Sequence, residues 1–309
     1  MIVISQKITG FNTINLPVTA ASYDPAHTYS YGDECLYEHR VYKSAIDANT
    51  GNTPTEQTSE SWVLLRVENA YAMLDNRAST KTVWSPSTSS GTTDYLEFSF
   101  YQGEVTHLAF VGLVSSSLSI DLLDGDGNVM HTSSRGNKIW CGDTTEYNYM
   151  FAPYCEDDSR GTSAAMYFVL PQVAGGTIRI RAKAGANGTA EIGDIIGGES
   201  FNLGCAQWGI PRSIDSTGSF KRTDFGDFDG RRRTPARRMT VNIKFDSSTA
   251  NTIYDYAVST LHDAVALYVA DPRDDSMFDG LVILAKGTYA QTLDNPTRSS
   301  ASITLEEAI

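Results

Sequence analysis

The run Leu122–His131, LLDGDGNVMH, sets oxygen-bearing side chains at Asp124, Asp126 and Asn128, the alternation with which a calcium loop supplies its ligands. Such a loop needs an acidic residue at its twelfth position to close the coordination sphere, and Arg135 stands there. A hairpin turn through Asp-Gly and Gly-Asn is the stronger reading. The five histidines, His27, His39, His107, His131 and His262, make no HxxxH or HExxH spacing and no cluster with carboxylates. There is no GxSxG elbow, no GxxxxGK[ST] phosphate loop, no GxGxxG after a strand and no DxxDxDxE strand. The acidic stretch CEDDSRG from Cys155 reads as a solvated loop without an acid/base partner. Carboxylates from separate strands could still meet in space, as glycosidases require. The expectation is a non-enzymatic chain with no metal and no cofactor.

Four cysteines, Cys35, Cys141, Cys155 and Cys205, lie too far apart for a CxxC motif, so reduced buried thiols are expected, with Cys141–Cys155 the one pairing to check. The formal charge is −13, which disfavours nucleic acid as a partner of the whole molecule. The stretch 217–240 departs from this: Lys221, Arg222, Arg231, Arg232, Arg233, Arg237 and Arg238 outnumber Asp224, Asp227 and Asp229, for a local +4 against −17 elsewhere. Neither a secretory leader nor an apolar run of membrane-spanning length is found, so no membrane insertion is expected.

Aromatic residues crowd the start of the chain. Tyr23-x-Pro25, Tyr29, Gly32-Asp33, Tyr37, Tyr42, Gly51, Pro54 and Trp62 follow one another in an order and spacing that resemble the chitin-binding-type (family 5/12-like) carbohydrate-binding modules, small three-stranded folds also found in phage tail proteins. The resemblance covers about a seventh of the chain. It implies contact with a host-surface polysaccharide, for which Tyr23, Tyr31, His39, Tyr42 and Trp62 are the candidates. A core this small must be covered largely by big rings, and Tyr29, Tyr37 and Trp62 suit that task, so Trp62 is counted on both sides. After Tyr42 this chain has Ser44-Ala45-Ile46-Asp47 where chitin binders often carry adjacent tryptophans, a departure that argues against insoluble chitin.

The elements that would hold these residues are mainly β. Short apolar runs alternate with polar residues and are bounded by Gly, Ser and Asn clusters. Three blocks follow from them: an N-terminal strand with the small three-stranded aromatic module over 1–67, a jelly-roll-like β-sandwich over 68–198, and a C-terminal β domain with one helix over 199–309. The helix is expected after the capping residues of "DSSTANT", with Ile253, Tyr254, Ala257, Val258 and Leu261 on one face.

The third block, with Ala206-Gln207-Trp208-Gly209, an Arg-rich hairpin, one helix, paired strands and a closing strand in "ASITLEEAI", resembles the C-terminal region of tailed-phage tail or baseplate proteins. That resemblance implies a structural virion protein made in the host cytoplasm, whose partners are copies of itself and other tail proteins. Arg222, Arg231, Arg232, Arg233, Arg237 and Arg238 are then the candidate contacts between subunits, because a positive extension can lie on an acidic neighbour.

Overall fold

A computed structural model describes residues 1–55, 60–75, 80–86, 94–136, 164–173, 175–185, 188–215, 219–222, 228–231, 236–261, 265–270 and 281–308. Antiparallel sheets dominate, with one short α-helix, Ala250–Tyr256, among the described residues. No described helix is long and apolar enough to cross a membrane.

The middle of the chain forms a β-sandwich. Its front sheet has five strands in the order Val129–Gly136, Ser117–Leu123, Thr177–Lys183, Tyr95–Tyr101 and Thr13–Ile14. Strict alternation builds it: Leu96, Phe98 and Phe100, Leu118, Ile120 and Leu122, and Ile178, Ile180 and Ala182 all point into one buried cluster, while the residues between them face outward. The back sheet, Ala164–Val169, His107–Leu113 and Asp194–Gly198, covers the other side of that cluster through Leu108, Phe110 and Phe168.

The back sheet is also covered on its reverse. Ala109, Val111, Tyr167 and Ile196 pack against Ile2, Ile4, Leu267, Val269, Val282 and Leu284 of an eight-stranded sheet. That sheet runs Ser200–Asn202, Ile2–Ile4, Val265–Val269, Val282–Thr292, Arg298–Glu307, Ala236–Asp246, with Cys205–Ala206 and Arg212–Asp215 sharing the last strand's outer edge. Its far face buries Val3, Val241, Ile243, Tyr268 and Ile303 beneath the helix residues Ala250 and Ile253. Three sheets and a helix are therefore stacked, and the strands in the middle are apolar on both faces.

Two expectations are modified here. The N-terminal strand does not join the small module: Ile2–Ile4 pairs with Ser200–Asn202 and Val265–Val269, because a strand buried on both faces fits only a central place in a large sheet. The segment that follows crosses to the sandwich under Gly197 and Gly198, where a Cβ would meet Leu108 Cδ2 at 2.7 Å and the Ser5 carbonyl oxygen at 2.2 Å respectively. Gln6 fastens the crossing by donating to the Ile195 carbonyl and accepting from the Gly197 N–H. The helical face also differs. Ala250, Ile253 and Ala257 are buried while Tyr254 and Val258 are exposed, since a helix this short covers its sheet with a single narrow stripe.

Candidate functional site

The small module is a three-stranded sheet, Glu34–Tyr37, Arg40–Ser44 and Trp62–Val67. Its core is four side chains, Tyr29, Cys35, Tyr42 and Trp62, with Tyr23 and Tyr37 packed against them. Tyr23 stacks on Tyr29 at 5.9 Å and meets Tyr37 and Trp62 edge-on, while Trp62 meets Tyr29 edge-on at 5.1 Å. Two of the polar tips are held as well. Trp62 Nε1 donates to the Asn52 carbonyl at 2.7 Å, and the Tyr29 hydroxyl accepts from the Asp24 N–H at 2.8 Å. Asn49, fully buried, donates to Ser44 Oγ and to the Ser61 carbonyl, tying the long loop to the sheet. Burial pushes the Cys35 thiol up to about 11.

This packing separates the five candidate sugar contacts. Tyr42 and Trp62 are 2% and 4% exposed and present no ring face to solvent, so the structure makes them core residues rather than stacking platforms. The physical reason is size: a sheet of three short strands has no aliphatic layer to exclude water and uses its rings for that purpose. Tyr23 is half-buried among three other rings. His39 occupies a two-residue turn with Glu38, both at positive φ (63° and 48°), and its ring lies on Tyr71 with centroids 3.6 Å apart. Its carbonyl accepts from the Glu68 N–H, so the turn fastens the module to the 3-10 turn Asn69–Leu74. A non-glycine pair tolerates this backbone because the stack and that bond hold it there.

Tyr31 is different. It is 67% exposed at the tip of the turn Ser30–Asp33, which Gly32 closes at φ 95°. Asp33 N–H donates to the Ser30 carbonyl while Asp33 Oδ2 accepts from the Ser30 N–H, and the Tyr31 N–H donates to Asp47 Oδ1 at 2.9 Å. Lys43 Nζ stands 5.9 Å from the ring centroid, and the half-open Ile46 flanks Asp47. An aromatic plane held by its own backbone, with an ammonium and a carboxylate beside it, can stack on the CH face of a sugar and bond its hydroxyls.

The arginine candidates fall in three groups. Arg222 and Arg231 lie on the paired strands Ser219–Arg222 and Phe228–Arg231, and Arg232 and Arg233 lie outside the described residues. Arg237 and Arg238 are engaged within the chain: Arg237 Nε donates to Glu307 Oε1 at 2.8 Å with its N–H on Glu307 Oε2, and Arg238 stands 3.6 Å from Glu306. Where the closing strand ends, a cleft of about 550 Å³ opens between Val282 and Ile283 on one side and Arg212, Ile214, Arg237 and Arg238 on the other. Sequence reasoning missed this cleft, whose signal was the apolar Ile214, 74% exposed between arginine-bearing positions.

The Asp124 loop is the expected hairpin turn. Asp124 Oδ1 accepts from the N–H groups of Asp126 and Asn128, and Asp124 N–H donates to the Asn128 carbonyl. Those bonds hold its carboxyl below the usual range, led by the Asn128 contacts. Among the described residues no group of three or more His, Cys, Asp or Glu side chains could hold a metal ion. The Cys141–Cys155 pairing lies outside the described residues; Cys35 is a buried free thiol and Cys205 an exposed one. No protein-family model, curated protein or solved structure matches the chain.

Proposed function

We propose that this chain is a non-catalytic structural component of a tailed-phage tail tip or baseplate, which assembles with copies of itself and other tail proteins and turns its small module toward cell-envelope glycan. The observation that carries the reading is the conjunction, in one β-rich chain, of the aromatic module at 23–67 with a basic paired-strand segment leaving the eight-stranded sheet at Arg212–Asp215. In a ring each subunit meets its neighbour through two different surfaces, and a basic extension can settle on the acidic body of the next copy. Arginine suits planar carboxylate contacts, and the cleft at the foot of the segment adds apolar walls to that charge. Asp224, Asp227 and Asp229 interrupt the basic run and weaken any attraction for phosphate. Electron microscopy of the purified protein and of virions is the test. Ring-shaped oligomers and a place in the tail are expected; a stable monomer missing from virions would sink the proposal.

A second reading, a freestanding carbohydrate-binding protein, draws on the exposed Tyr31 ring. It expects glycan binding by a monomer, so sedimentation and a glycan array on one preparation separate the two.

A further inference from the structure

The outward face of the five-stranded sheet is unlike a merely solvated one. Because Leu96, Phe98 and Phe100 point inward, Tyr95, Glu97, Ser99 and Tyr101 point outward, and register sets Thr177, Arg179, Arg181 and Lys183 beside them on the next strand. Asp121 of the third strand lies opposite Arg179, and Thr132 of the fourth opposite Asp121. The centre of this face is rigidly wired. Asp121 accepts from Arg179 at 2.9 Å, Arg181 at 3.1 Å and Thr132 at 2.9 Å, while Arg181 Nε donates to Glu97 at 2.7 Å. Thr13 and Ser99 share a hydroxyl bond at the edge.

A network serving only the fold accounts for Asp121, but it leaves two features over. Arg179 Nε–H is buried and has no hydrogen-bond partner among the described residues, so the ion-pair network leaves one donor at its centre unsatisfied. Tyr101 is 60% exposed at one end, and at the other Tyr95 lies against the Arg181 guanidinium at 5.7 Å. At a strand rise of roughly 3.4 Å per residue the two rings are about 20 Å apart, the span of a short oligosaccharide. Three cations, Arg179, Arg181 and Lys183, face two anions, Asp121 and Glu97, on a chain whose overall charge is −13.

We propose that this face is a second binding surface, separate from Tyr31, and that it takes a short acidic oligosaccharide, one bearing carboxylate or phosphate groups. Tyr95 and Tyr101 stack on its end rings, and the fixed guanidiniums and Lys183 meet its charges and hydroxyls. Guanidiniums already oriented by Asp121 lose little freedom on binding, and charge-assisted bonds to an anionic sugar are stronger than neutral ones. The inference rests on the glycan half of the reading above but uses different residues, so the two fail separately.

The test is an array of oligosaccharides bearing uronic acids or phosphodiesters, with uncharged chains alongside, probed by the full chain and by Tyr101→Ala, Lys183→Gln and Tyr31→Ala. Tyr101 and Lys183 are exposed, and circular dichroism checks that their variants keep the fold. Expected is binding to acidic members that weakens with salt, falls at least tenfold in Tyr101→Ala and severalfold in Lys183→Gln, and is unchanged in Tyr31→Ala. No binding to any acidic member, or binding that both sheet variants retain in full, overturns the proposal.

Discussion

The module between Tyr23 and Val67 excludes water with four core side chains, three of them aromatic, whereas the stacked sheets behind it rely mostly on aliphatic residues and phenylalanine, with Trp84, Tyr167 and Tyr268 buried among them. The module therefore uses most of its rings as core and leaves Tyr31 outside, while the sandwich closes a far larger core with Leu, Ile, Phe and Trp84 and keeps Tyr95 and Tyr101 on its outer face. An aromatic residue in sequence thus carries different information in the two regions. In the small fold the rings are nearly the whole core; on the large sheets a ring is core or surface according to which face of the strand carries it, as Tyr268 and Tyr101 show.

Trp62→Ala is expected to break the comparison most sharply. Removing a buried tryptophan costs about 3–5 kcal/mol, more than a core of this size can absorb. Hydrogen exchange should show protection lost across Glu34–Val67 and kept in Tyr95–Tyr101. Alkylation mapped by mass spectrometry should find Cys35, whose thiol is held near 11 by burial, newly reactive at pH 8. Protection lost in both regions would mean the module and body are one cooperative unit.

Gly198→Ala strikes the body instead. Its Cβ would stand 2.2 Å from the Ser5 carbonyl oxygen, so the crossing segment must shift, at a cost of about 1–3 kcal/mol. Thermal unfolding should move down for the sandwich and the eight-stranded sheet together, while hydrogen-exchange protection across Glu34–Val67 stays unchanged below that transition.

Acid separates the regions more gently. Burial alone would raise the Asp121 carboxyl, but the hydrogen bonds from Arg179 and Thr132 and the charges of Arg179 and Arg181 outweigh it and hold the group below its ordinary 3.8. A carboxyl depressed in the folded state contributes stability that is present in full above 3.8 and lost as pH falls below it. Asp121→Asn should cost about 1–3 kcal/mol at neutral pH and flatten the acid limb of a denaturation series, leaving the module's own acid response unchanged.

Tyr31→Ala carries the smallest effect on stability, within roughly 0.5 kcal/mol because the ring is exposed. Chemical denaturation should be superimposable on the unmodified protein, while module-dependent glycan binding disappears. A clear loss of stability would place Tyr31 among the core rings and remove the distinction.

Much of the fold was legible beforehand where a local rule was strong. Strict alternation marked Tyr95–Tyr101, Ser117–Leu123 and Thr177–Lys183 as half-buried strands, and Asp124-Gly125 marked the turn joining two strands of that sheet. Continuous runs were less informative. His107–Leu113 and Val265–Val269 are apolar almost throughout because each is sandwiched between two layers, and nothing in a strand's own residues says which layers those are. The site was legible only as a segment. Five aromatic and histidine candidates looked alike in sequence, yet Trp62 and Tyr42 are core, Tyr23 is half-buried, the exposed His39 gives one ring face to Tyr71, and Tyr31 is open.

By itself the sequence determined a β-rich, acidic chain with a small ring-filled module, a hairpin turn at Asp124 and a segregated basic stretch, since period, turn chemistry and charge are properties of neighbours along the backbone. Tertiary structure decided the rest: that Ile2–Ile4 belongs to the far sheet, that Arg237 is held by Glu307, and that Tyr31 among the module's tyrosines keeps a free face. Those outcomes depend on which distant surfaces meet and exclude water, and burial of that kind is shared between residues hundreds of positions apart.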